Sequence, residues 1–197
     1  MERIVLKPAA VKKHRGIKAA GENGRSDRDS LLDIVRCFVF LVTAFILAFT
    51  FLARQTVVIG DSMNPTLESG DRVITCGLFY SPKYGDIVVM QKPGFRMDGF
   101  IKRVIATEGQ IVAFDFIRGV VYVDGSALQE PYTLEPTYAQ EHITGPVTVP
   151  EGCVFVLGDN RNNSMDSRWS TIGCVDNRYI VGKAILRIFP LQKFGVL

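Results

Sequence analysis

Residues 101–125 read IKRVIATEGQIVAFDFIRGVVYVDG. β-Branched and aromatic residues crowd the runs Ile101–Thr107, Ile111–Ile117 and Val120–Val123, and such residues fit a pleated, half-buried surface. Arg118-Gly119 separates the last two runs as a hairpin turn. Asp124-Gly125 closes the third, and this dipeptide favours a two-residue hairpin. Outward from this stretch, Val57–Ile59, Arg72–Thr75, Ile87–Gln91, Val154–Leu157 and Ile180–Ile188 read as further strands. Pro82, Pro93, Pro131, Pro136, Pro146 and Pro150 punctuate the loops between them. The segment Glu130–Val147 lacks a clear pattern and reads as a long surface excursion. Residues 54–197 show no helical periodicity and are numerous enough for one core. The expectation is an all-β domain of antiparallel sheet, as a small barrel or a pair of packed sheets.

Ahead of this domain, Cys37–Ala53 reads CFVFLVTAFILAFTFLA without a charge. As a helix this run spans about 25 Å, a little short of a hydrocarbon core of roughly 30 Å. Leu31, Leu32, Ile34 and Val35 extend it, with Asp33 and Arg36 at pairing distance along the helix. Residues 31–53 are therefore expected to form one transmembrane helix. A cleaved secretory signal would end in small residues at alternate positions, and Phe51-Leu52-Ala53-Arg54 does not. Residues 1–30 hold eight Lys or Arg against four acids and are expected to be a disordered basic tail. Few positives follow the run closely, so the tail is placed in the cytoplasm and residues 54–197 outside.

The formal net charge of +3 gives no ground for a nucleic-acid partner. Cys37 lies in the expected span. Cys76, Cys153 and Cys174 would meet an oxidising compartment, where one disulfide can form, and whether Cys153 and Cys174 make it stays open. No Cys-x-x-Cys pair or Cys/His cluster points to a metal.

Three segments carry chemistry. Ser62 sits in Gly60-Asp61-Ser62-Met63-Asn64-Pro65-Thr66-Leu67, a punctuated turn shortly after the apolar run. A serine needs a base to act as a nucleophile. Of the two histidines, His14 is in the tail and His142 in a turn-rich loop, which leaves lysine as the alternative. Strand alternation puts Phe100, Lys102 and Val104 on one face and Ile101, Arg103 and Ile105 on the other. If the Lys102 face is interior, burial lowers its pKa toward a range useful to a base. The plain alternative is a solvated strand edge. The third segment, Gly158-Asp159-Asn160-Arg161-Asn162-Asn163-Ser164-Met165-Asp166-Ser167-Arg168, follows an apolar strand. Functional groups often occupy such loops, although an Asx-rich turn joining two strands reads the same way.

Taken in this order behind an apolar anchor, the three segments resemble type I signal peptidase, the bacterial leader peptidase family, in its compact single-span form. The similarity continues through Val120-Val121-Tyr122-Val123-Asp124-Gly125 to Tyr132 and resumes at Val181-Gly182-Lys183-Ala184, and it covers nearly all of residues 54–190. The resemblance implies a membrane-bound Ser/Lys serine endopeptidase that needs no cofactor. Its substrates would be signal-peptide-bearing pre-proteins emerging from the export machinery at the lipid bilayer, cut after small residues. It implies Ser62 as nucleophile, Lys102 as neutral general base and Ser164 as the residue that positions the lysine. Val58, Ile59, Met63, Phe100 and Ile101 match the family's pocket walls. Asp166 and Arg168 match its structural ion pair, and Gly158, Asp159, Asn160 and Arg161 complete the supporting loop. The chain departs from the family pattern in three places: Gly60 offers no side chain to an oxyanion hole, Asn162 stands where Asp is common, and Thr107-Glu108-Gly109 replaces Leu-Pro-Gly. A self-cleaving repressor-type peptidase shares the dyad logic but fits neither the anchor nor the lack of a DNA-binding domain. A membrane-anchored β-domain that binds peptides without catalysis is the other alternative, and it requires Ser62 and Lys102 to lie far apart.

Overall fold

The structure is a computed structural model that describes residues 23–91 and 99–197. The chain divides into a unit ending at Leu47 and a β-rich unit running from Ala48 to Leu197. Helix α1 covers Asn23–Leu52. Its stretch Arg28–Leu47 is long and apolar enough to cross a membrane, and none of it is buried. Asp33 and Arg36 pair at 3.2 Å on its surface. The helix takes in residues 23–30 of the expected tail, while residues 1–22 lie outside the described residues.

The strands are β1 Ala53–Val57, β2 Arg72–Cys76, β3 Ile87–Met90, β4 Phe100–Thr107, β5 Ile111–Asp115 and β6 Val120–Val123. They continue with β7 Ser126–Ala127, β8 Val147–Thr148, β9 Cys153–Leu157, β10 Val175–Asp176, β11 Ile180–Phe189 and β12 Gly195–Val196. The larger sheet runs β1-β2-β11-β3-β4-β9-β10, with β12 also on β11, and the smaller runs β7-β6-β5-β8. Pairing is antiparallel throughout. The larger ladder ends openly at β1 and β10, so the all-β expectation holds as two sheets and not as a closed barrel. The expected strand Val57–Ile59 lies earlier, at Ala53–Val57, because β1 is paired with β2 over that register. Val58 then leaves the ladder and donates its N–H to Asp71 O at 2.8 Å.

Asp124 and Gly125 both adopt positive φ, 52° and 78°, the conformation a two-residue hairpin between twisted strands requires. At the other turn the Asp115 carboxylate accepts from the N–H groups of Ile117 and Arg118.

Ile105, Ala106, Phe155 and Leu157 of the larger sheet meet Val112, Val121 and Val123 of the smaller in one core cluster. A second cluster lies around Val88, Met90, Val104 and Val156, and a third gathers Val58, Met63, Leu67, Val73, Ile87 and Ala184. All residues of β3 and the middle of β4 are buried, as expected of strands covered on both faces. The site is built on β4. All four cysteines are free.

Candidate active site

Met63 and Leu67 are buried at 1% and 0% exposure and pin the serine turn to the third cluster. Leu67 N–H bonds back to Met63 O at 2.9 Å. The turn enters through Gly60 at φ 86° and contains a cis Asn64–Pro65 bond. Between these anchors Ser62 stays half-buried and faces the cleft.

Lys102 lies in β4, opposite Val88 of β3, and is 4% exposed. Its Nζ donates to Ser62 Oγ at 2.7 Å and to Ile101 O at 2.9 Å. Burial lowers its pKa from 10.5 to about 8, against the opposing pull of Asp166 and Asp159. At this distance a neutral amine can also accept from the hydroxyl through its lone pair and take its proton, and the alkoxide so formed can attack a carbonyl. The 2.7 Å contact removes the separation that the non-catalytic reading requires.

The loop after β9 braces both partners. Asn160 N–H donates to Ser62 O and its Nδ2 to Asp61 O, each at 3.1 Å. Asp159 is bound by Arg103 and also accepts from Thr66 Oγ1. Arg103 further stacks on Tyr132, 4.0 Å from the ring centre. Arg161 is buried, pairs with Glu130 and donates to Gly158 O and Thr137 Oγ1. Asp166 and Arg168 form a fully buried ion pair at 2.8 Å, and Asp166 also accepts from Gly158 N–H. Gly158 is needed for close approach: a Cβ there would meet Ser164 Oγ at 2.2 Å and Ser62 O at 2.4 Å. Ser164 is buried, but its Oγ has no hydrogen-bond partner among the described residues. The expected bond from Ser164 to the lysine is therefore not formed here, because Lys102 Nζ is turned to Ser62 and Ile101 O.

Two departures from the family pattern have local explanations. Asn162 Oδ1 accepts from Tyr138 and Ala139 N–H while its Nδ2 donates to Pro136 O. An aspartate would lack that donor. Glu108 accepts from Gly152 N–H at 2.7 Å, which ties its turn to the one before β9.

Val58, Ile59, Met63, Phe100 and Ile101 all line the cleft with Ser62 and Lys102, and its volume is about 500 Å³. Ile59 is 79% exposed, whereas Val58 and Met63 are core residues that also show a face to the cleft. Asn163 and Met165 line it too. They lie inside the third segment, and their loop position is the signal that could have found them. No cluster able to hold a metal occurs among the described residues. His142 bonds Ser170 and packs on Trp169.

A family model described as signal peptidase, peptidase S26, matches residues 31–189. Probable signal peptidase I-1 of Synechocystis sp. is 44% identical over 170 residues, which is 81% of this chain and 82% of that one. Signal peptidase I of Bacillus caldolyticus is 37% identical over 159 residues, 74% of this chain and 84% of that one. The crystal structure of a signal peptidase I from Enterococcus faecalis V583 aligns over 53% of this chain and 97% of its own, at 31% identity and a TM-score of 0.44. The family match spans most of the sequence, including all three chemistry-bearing segments, and the protein belongs to the signal peptidase family, peptidase S26.

Proposed function

We propose that this enzyme cleaves N-terminal signal peptides from exported pre-proteins by a Ser/Lys mechanism, cutting after small residues. Removal of signal peptides follows from the family. Ser62 is the nucleophile and neutral Lys102 the general base in this reading. The 2.7 Å contact between Nζ and Oγ carries it, supported by the burial that favours the neutral amine. Lys102 takes the hydroxyl proton as Ser62 Oγ attacks the carbonyl of the −1 residue. The tetrahedral oxyanion requires N–H donors, and the Ser62 N–H is the nearest backbone candidate. Collapse of the intermediate breaks the C–N bond, and Lys102 returns the proton to the leaving amine. Water activated by the same amine then releases the acyl group.

In this reading Asp159, Asn160, Arg161, Asp166 and Arg168 hold the two reacting groups in register and Gly158 leaves them room. Val58, Ile59, Met63, Phe100 and Ile101 exclude large side chains from the substrate pockets. The enzyme crosses a membrane once through α1, with the N-terminus cytoplasmic and the β-rich unit outside, where pre-proteins leave the export machinery.

The test is cleavage of a pre-protein by the full chain in detergent. Ser62→Ala and Lys102→Met are each expected to abolish it. Activity retained in either variant would sink the mechanism.

A further inference from the structure

Two cavities meet at Met165. One is the cleft that holds Ser62 and Lys102. The other is a void of about 10 Å³, at the lower limit for holding one water. Met90, Val156, Ile172 and Val175 form its walls, and all four are buried members of the second core cluster. Asp166 also lines it, held in its ion pair with Arg168, and the rest of the wall on this side is apolar. Phe100, Lys102 and Met165 line both spaces.

These shared residues differ in freedom. Phe100 and Lys102 belong to β4, and Lys102 is held by two hydrogen bonds. Met165 is 42% exposed, and its unbranched thioether adapts readily to its surroundings. Its neighbours Ser164 and Asp166 are buried on either side. The backbone at Met165 is therefore fixed while the side chain forms the adaptable part of the partition.

We propose that Met165 is a specificity-determining residue, whose side chain seals the apolar void from the cleft and so limits the depth open to the substrate's −1 side chain. This rests on the proposed cleavage reaction. The −1 side chain leaves the carbon next to the carbonyl that Ser62 attacks, so it lies beside Ser62 and Lys102, where the two spaces adjoin. A shorter residue at 165 joins void to cleft. The added depth is walled by Met90, Val156, Ile172 and Val175 and accepts an aliphatic side chain. Discrimination by an apolar pocket is about 10- to 200-fold per methylene, so the change is large enough to measure.

The experiment measures kcat/KM of the full chain in detergent on one pre-protein carrying Ala, Val or Leu at −1. For the wild type, Ala is expected to be far preferred. Met165→Ala is expected to raise the Leu-to-Ala ratio about tenfold or more, and Met165→Val to fall between. A ratio within twofold of wild type in both variants overturns the proposal. Loss of all cleavage in both, with thermal unfolding like wild type, overturns it too, because the residue would then serve the reaction and not the selection. A wild-type chain that leaves the Ala pre-protein intact counts against the proposed function itself.

Discussion

Arg103 and Asp159 are joined by two parallel hydrogen bonds, Nε to Oδ1 at 2.8 Å and Nη2 to Oδ2 at 2.6 Å. The pair fastens the strand that carries Lys102 to the loop that braces Ser62. Asp159→Ala would leave the guanidinium buried without its counter-ion. Breaking a buried pair from one side costs about 3–5 kcal/mol. Urea unfolding should show a loss of that size, and a loss below about 1 kcal/mol would mean that the pair is effectively solvated.

Gly158→Ala tests close approach. Its new methyl would press on Ser164 Oγ and Ser62 O, and neither the serine turn nor the loop can yield without moving Ser62, the proposed nucleophile. Overpacking costs about 1–3 kcal/mol, whereas misplacing reacting groups by an ångström costs roughly 100-fold in rate. Cleavage should therefore fall much further than stability, as read by kcat beside thermal unfolding.

In the proposed mechanism the pKa of Lys102, lowered to about 8, sets the pH dependence. The base must be neutral, so kcat/KM should rise with pH through a midpoint near 8 and level off above it. A flat profile across that range would show that another group limits the reaction.

Stability should follow the same residue. Its ammonium is disfavoured in the fold, since its pKa falls from 10.5 to about 8. The unfolded chain then binds more protons between those values, and stability rises with pH there. Below about 8 the full penalty applies, on the order of 3 kcal/mol. Lys102→Met should thus unfold at a higher temperature than wild type at neutral pH, with the gap narrowing toward 10.5. Equal melting at neutral pH would show that the amine's hydrogen bonds offset its desolvation.

Ser164→Ala removes a buried hydroxyl without a described partner. Stability should therefore hold, because no bond is lost. Cleavage should fall only in part if the hydroxyl acts through Lys102. A loss as complete as that of Ser62→Ala would give it a direct part in the reaction.

Local features were the legible ones. The Asp124-Gly125 hairpin follows from two dihedral angles, whereas the two-residue period left the burial of Lys102 open, and β4 proves buried on both faces. The open ladder, the position of β1 and the two-residue strands β7, β8, β10 and β12 depend on pairing with distant residues. Within the site, the Asp166–Arg168 pair could be read from its own segment, whereas Ser62 and Lys102 were joined only by the family resemblance. The Arg103–Asp159 clamp spans 56 positions, and Met165 matters only because two walls from other strands converge on it. The loop position of Met165 could have marked it as a candidate, but neither partnership could be read from its own neighbourhood in the chain.

The bonds from Asn160 to Asp61 and Ser62 have a consequence in time. Asn160 and Asp61 are 99 positions apart, so the chain must be made through the loop after β9 before these bonds can form. A growing or half-folded chain carries its serine long before the loop after β9 arrives to set it. In the proposed mechanism, hydrolytic competence therefore waits for the last third of the domain, and an incomplete chain is expected to stay silent.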